Sequence, residues 1–274
     1  MTDSYYRIAD IPVLVRRDRD RTVSLFNGFE AEENVCPQVI AEIYEGKRNF
    51  QKCYGIEYCV VSPEYPCVMS SQKYPAVHML ASSAWDRLVI EGCKDAEEGM
   101  TELFLAGLYS YASLRGNILM HASAVEWKGE GIIFTAASGT GKTTQAKLWE
   151  KYKHAKILNG DKIFLECIGK SCSAWGIPWK GSSPYALNKK THLKAVIVLE
   201  QAKVNSIHRL EGVEALSRVS PHLFYPSWDV NCTKAVMDAY SRMIEQTPVY
   251  LLSCLPDREA VDITCDKIWG DQLK

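Results

Sequence analysis

GIIFTAASGTGKTTQAKLW, residues 131–149, decides how this chain is read: an apolar run, a glycine-bearing turn, then a helix-forming stretch. The pattern predicts a strand over 131–136, a loop, and a helix over 142–152. Gly139 and Gly141 let the backbone curl so that successive N–H groups point inward at phosphate oxygens. The helix starting near Lys142 adds its positive end to the same place. In such a loop Lys142 reaches the β- and γ-phosphates of a nucleoside triphosphate as a point charge, and the Thr143 hydroxyl ligates Mg²⁺. The predicted cradle is Ala137, Ser138, Gly139, Thr140, Gly141, Lys142, Thr143 and Thr144, with Mg-ATP as the ligand. Ala136 stands where such loops usually begin with glycine, so that position must take a negative φ.

Working outward, the second part of the chain alternates strand-like and helix-like segments. Strands are expected at 117–126, 131–136, 155–159, 194–199 and 248–253, and helices at 142–152, 212–219, 230–245 and 257–268. Asp229 and Asp257 precede helical stretches and suit N-caps. This alternation predicts an α/β core with a parallel or mixed sheet. Before it, short β-type runs (IPVLVRR, TVSLF, EYCVV, RLVIEG) are separated by turn-rich segments such as NGFEAEEN and SPEYP. The cluster from Arg16 to Arg21 interleaves bases with acids and reads as a solvated turn. From Ala96 to Leu114 the periodicity is helical, with Phe104, Leu108 and Tyr111 on one apolar face. The expected organisation is a smaller α+β region over 1–95 and a P-loop α/β domain over 96–274, joined through a linking helix at 96–114.

Two further residues are candidates beside the loop. Asp161 follows Lys142 by 19 residues, at the end of AKILNGD, where a chain returning through a second strand delivers it next to the phosphates. A carboxylate there holds Mg²⁺ or accepts a proton from an attacking hydroxyl, although NGDK is turn-like in its own right. His121 ends NILMH; if 117–126 and 131–136 form a hairpin through KGEG, its imidazole lies toward the loop and can relay a proton, or it is an ordinary structural histidine. The segment 174–190, AWGIPWKGSSPYALNKK, is too irregular for a strand and too long for an incidental turn. Trp175, Trp179 and Tyr185 offer rigid contact area, and Lys180, Lys189 and Lys190 complement phosphate, so the segment is either a substrate lid or a packed surface loop. Arg209 either reaches the nucleotide or is an exposed structural arginine.

Composition narrows the field. A chain of 274 residues, 47% hydrophobic with a formal net charge of −1, buries a normal core and gives no long-range attraction to nucleic acid or an anionic membrane. No apolar run reaches the roughly 20 residues of a membrane span, and the first residues lack a signal-peptide core, so a cytoplasmic location is expected. Ten cysteines include no C-x-x-C pair, which argues against structural zinc and for reduced thiols.

The strand ending in His121 (MHASAV), the loop ASGTGKTT and the short step to Asp161 together resemble the HPr kinase/phosphorylase-like branch of the phosphoenolpyruvate carboxykinase-related P-loop proteins. The resemblance covers roughly residues 115–255, and the segment around Gly176-Ile-Pro-Trp179 is similar to the G-x-P-W loop of less characterised members. It implies a P-loop kinase domain with a mixed sheet of the HPr kinase/carboxykinase type. It also implies transfer of the ATP γ-phosphoryl group to a serine-type hydroxyl of a small protein, a peptide or a metabolite. Lys142, Asp161 and His121 would then be catalytic, and Thr143 and Asp161 would hold Mg²⁺. Two departures stand out: members often carry two adjacent acids where this chain has Gly160-Asp161, and the glycine-rich signature of the carrier-protein kinases is missing. A nucleotide-gated binding module without catalysis, an ATPase driving a partner, and a homo-oligomer all remain open.

Overall fold

In a computed structural model, the structure describes residues 1–18, 24–33, 35–46, 50–53, 56–59, 62–93 and 95–270. Arg19–Arg21 of the basic cluster, Thr22 and Val23 of TVSLF, and the last residues of EYCVV lie outside the described residues, as does Asn34 of NGFEAEEN. The chain forms two compact units, Met1–Arg115 with Trp228–Cys232, and Gly116–Ser227 with Thr233–Lys274.

The first unit holds strands β1 (Thr2–Ile8), β2 (Ile11–Arg17), β3 (Val39–Glu45), β4 (Phe50–Cys53), β5 (Ile56–Cys59), β6 (Cys67–Ser70), β7 (His78–Ala81) and β8 (Arg87–Gly92) and helix α1 (Glu97–Ser113). Six of them form a mixed sheet in the order β1-β2-β3-β8-β7-β6, and β4 pairs with β5 separately. Arg16 and Arg17 continue β2 rather than opening a turn. Alternation buries Val39, Ala41 and Ile43 on one face of β3, the period-2 logic of a half-buried strand. On α1 the Phe104, Leu108 and Tyr111 side chains are all buried, as their helical spacing requires. Phe26 links strand and helix, its ring 4.8 Å from Tyr6 and 5.6 Å from Phe104. Asp229 accepts from the backbone N–H groups of Asn231 and Cys232, which is the capping expected of it.

The second unit contains β9 (Asn117–Trp127), β10 (Glu130–Thr135), α2 (Lys142–Lys153), β11 (Lys156–Asn159), β12 (Lys162–Ile168), β13 (Ser171–Gly176), β14 (Lys190–Gln201), β15 (Ser206–Leu210), α3 (Gly212–Val219), most of α4 (Val230–Gln246), β16 (Val249–Cys254) and α5 (Arg258–Trp269). β9 and β10 form the hairpin expected through KGEG: Trp127 opposes Glu130, and Lys128 and Gly129 both take the positive φ of a primed two-residue turn. β10 also pairs in parallel with β14, and β14 with β16, so the loop between β10 and α2 lies at the carboxyl ends of three parallel strands. Pairings β9–β12, β12–β13 and β13–β14 bring the path back to β10, giving a second mixed sheet of eight strands. Sequence periodicity missed β12 and β13, a hairpin that takes the first residues of the segment 174–190 into regular structure.

The core under the loop is aromatic. Trp149 of α2, fully buried, stands 5.9 Å from Trp127 and 5.8 Å from Trp269 of α5, with Phe134 of β10 packed beside it. Asp257 caps α5 by accepting from the Ala260 N–H. One cysteine expectation is corrected: Cys167 and Cys172 are cross-strand partners in the β12–β13 hairpin and are paired through their sulfurs, whereas the other cysteines whose state is described are free thiols. No described helix is long and apolar enough to cross a membrane.

Candidate functional site

β10 ends at Thr135 and α2 begins at Lys142, and the six residues between them form an open cradle. Ala136 is buried and is not among the residues with positive φ, as an L-residue there requires. Gly141 is the N-cap of α2 with φ 119°, a conformation that a side chain would strain. It therefore leaves the first N–H groups of α2 without side-chain caps and available to an anion.

The loop is tied down from beneath. The Ser123 hydroxyl donates to the Lys142 carbonyl at 2.8 Å, and Thr135 Oγ1 donates to the His121 carbonyl at 3.0 Å. The Lys142 ammonium folds over the loop and donates to the carbonyls of Ala136 (3.0 Å) and Ala137 (3.2 Å). Burial pushes it below the usual lysine range, and Asp161 opposes that shift. Among the described residues the ammonium's hydrogen-bond partners are these two neutral carbonyls, weaker acceptors than an anion would be.

Between β11 and β12 the strand pairing with β9 is interrupted, and Gly160-Asp161 turn toward the loop. Thr143 Oγ1 donates to the Gly160 carbonyl at 2.9 Å, which joins the start of α2 to that turn. His121 Nε2 lies 3.4 Å from Asp161 Oδ1, and the Lys162 ammonium pairs with Asp161 Oδ2. The Asp161 carboxyl is held down to about 2, first by the His121 imidazole and then by Lys162, against the opposing effect of burial. It is an anion at any physiological pH, and a weak base while those partners stay in place.

His121, Ser138, Gly139, Gly141, Lys142, Thr143, Thr144 and Asp161 line one cavity of about 410 Å³. Ala137 and Thr140 face an adjoining cavity of about 610 Å³ with Arg218 and His222, and Thr140 also borders a third of about 460 Å³. That third cavity has apolar walls from Leu199, Ala202, Leu255 and Pro256. Arg209 goes elsewhere, exposed beside Glu211 at 3.6 Å and lining none of the three. The segment 174–190 enters differently from the reading of its aromatics as contact area. Trp175 and Trp179 are buried, Lys189 pairs with Glu126, and Lys190 pairs with Glu166. What the segment presents to the cavity is Ser182, Ser183 and Pro184.

Three residues escaped sequence reading. Lys147 lines the cavity four residues after Thr143, a helical spacing that was there to be used. His222 reaches the neighbouring cavity from the 3₁₀ turn Ser220–His222, its imidazole pushed down by burial and by the Lys142 and His121 charges. Asn159 is fully buried; its amide donates to the carbonyls of Ile177 (2.7 Å) and Trp179 (3.2 Å) and accepts from the N–H groups of Asp161 (2.8 Å) and Lys162 (3.1 Å). One side chain thus fixes both the Asp161 turn and the segment that walls the cavity.

Thr143 and Asp161 offer a hydroxyl and a carboxylate, hard oxygen donors that suit Mg²⁺ when phosphates and waters complete its shell. Among the described residues no group of three or more His, Cys, Asp or Glu side chains is placed to hold a metal by itself.

No protein-family model matches the chain. None of the curated proteins matches it either. Among solved structures, the HPr(Ser) kinase/phosphatase from Coxiella burnetii is similar over 57% of this chain and 99% of its own, at 9% identity and a TM-score of 0.34. A likeness of that size assigns no residue a role.

Proposed function

We propose that this chain is an Mg-ATP-dependent phosphotransferase that passes the γ-phosphoryl group to a serine-type hydroxyl of a small protein, a peptide or a metabolite. The observation that carries the reading is convergence: His121, the adjacent pair Lys142-Thr143, and Asp161, from three separate points of the sequence, line one cavity at the start of α2. The uncapped N–H groups of α2 and the Lys142 ammonium bind and orient the phosphate chain. Thr143 and Asp161 would hold Mg²⁺, which would supply positive charge to offset that of the phosphates. The Lys142 charge stabilises the transferring phosphoryl group from the loop side, a role that needs position more than unusual chemistry.

With its carboxyl near 2, Asp161 serves first as an anionic ligand. It takes the acceptor's proton only as the hydroxyl acidifies during transfer, and His121 at 3.4 Å can carry that proton on. Asn159 keeps the carboxylate in place, and the Ser182–Pro184 wall narrows the approach of water. The test is incubation with γ-labelled Mg-ATP and a panel of hydroxyl metabolites and serine peptides, read by mass spectrometry. Transfer to at least one member, abolished in Lys142→Ala, supports the reading. Saturable ATP binding with no transfer to any member or to water would replace it with a nucleotide-gated binding module.

A further inference from the structure

The segment after β13 brings serines of this chain into the cavity that holds Lys142 and Asp161. Close approach is possible because two positions carry no side chain. A Cβ on Gly160 would overlap Ser183 Oγ, and a Cβ on Gly181 would lie 2.8 Å from the Asp161 carboxyl. The Ser183 hydroxyl thus stands in the space that any side chain at Gly160, directly before Asp161, would need. The same point beside Gly160 is 3.5 Å from the Thr143 methyl, which puts Ser183 next to the residue that ligates the metal in the proposed site. Ser183 is also held in place. Its N–H donates to the Lys180 carbonyl at 3.0 Å, and its Oγ accepts from the Tyr185 N–H at 3.2 Å, which leaves the hydroxyl proton free to be given up.

We infer that the chain phosphorylates itself, each molecule acting on its own Ser183. This rests on the phosphotransferase reading above. In the step, Ser183 Oγ forms a bond to the γ-phosphorus. The bond from that phosphorus to the β,γ-bridging oxygen breaks, and its electron pair leaves on the nucleoside diphosphate. The hydroxyl proton passes to the Asp161 carboxylate and on to solvent; nothing is oxidised or reduced. The product adds a charge of about −1.5 to −2 to the cavity that receives the triphosphate. The modified chain therefore binds ATP more weakly, and the reaction limits itself.

The experiment incubates phosphatase-treated full-length protein with γ-labelled Mg-ATP and no acceptor, at several protein concentrations, and locates the label by tandem mass spectrometry. One phosphoryl group on Ser183 is expected, at a rate per molecule independent of protein concentration. It should be lost in Ser183→Ala and in Lys142→Ala and kept in Ser182→Ala, each checked for fold by circular dichroism. Label on Ser182 or elsewhere, or a per-molecule rate that rises with protein concentration, overturns the inference. Release of phosphate to water without label on Ser183, or no turnover at all, overturns it too. Either result leaves the phosphotransferase reading to the acceptor panel described above, where transfer to no member would remove that reading separately.

Discussion

Asn159→Ala is the substitution whose cost can be worked most fully from the structure. The amide orientation is fixed by its partners, because only with Nδ2 toward the Ile177 and Trp179 carbonyls and Oδ1 toward the Asp161 and Lys162 N–H groups are all four bonds made. Truncation removes all four of these bonds from a side chain that is itself fully buried. One water entering the vacated volume can satisfy about two of them. The remaining two, at about 1–3 kcal/mol each, give a loss of about 2–6 kcal/mol. Guanidinium unfolding at constant m measures that loss as a lowered midpoint.

Asn159→Asp supplies the sign test. It keeps the acceptor for the Asp161 and Lys162 N–H groups but turns a buried carboxylate against two carbonyl oxygens. At neutral pH it should therefore destabilise at least as much as alanine, and it should recover as pH falls and the carboxyl gains a proton to donate. A loss below about 1 kcal/mol in Asn159→Ala, or an Asn159→Asp variant as stable as wild type at neutral pH, would refute the idea that this amide holds the site together.

Other outcomes follow from the same geometry. Asp161→Asn should still bind nucleotide while phosphoryl transfer falls by about 10²-fold or more, compared by calorimetry and single-turnover kinetics. The Asp161 carboxyl, at about 2 in the folded chain against an ordinary 3.8, binds its proton more readily once the chain unfolds. It therefore contributes about 2 kcal/mol of stability that is present above about pH 4 and lost as pH falls through about 2. Asp161→Asn should flatten that part of the stability–pH curve. Trp179→Ala removes a buried indole beside the Asn159 bond to its carbonyl and should cost about 3–5 kcal/mol in unfolding experiments. If the segment excludes water, the same variant should also raise released phosphate relative to phosphorylated product.

Much of the second unit was legible because its elements obey simple periods. The strand, loop and helix around 131–149 lie within a residue or two of where the apolar run and the glycines put them, and KGEG makes its hairpin. The β12–β13 hairpin was missed because KIFLECI and SCSAWG carry charged or small polar residues among apolar ones, and their pairing is settled across the sheet rather than along the chain. The aromatics of 174–190 misled for a related reason. Sequence shows that Trp175 and Trp179 are large and rigid, but only tertiary packing decides that they point inward while Ser182 and Ser183 face the cavity. Asn159 was invisible altogether, since an asparagine in NGD reads as a turn residue until its four buried partners are seen.

The central claim is that the loop beginning at Ala137 and its lysine hold the triphosphate. Titration calorimetry of Mg-ATP into wild type and into a Lys142→Ala variant shown to be folded tests it most directly. Saturable one-site binding in the wild type, weakened by about 10²-fold in the variant through loss of one charge-assisted contact of about 1.5–3 kcal/mol, is the predicted result. Equal affinity in the two proteins, or no binding in the wild type, would contradict the account.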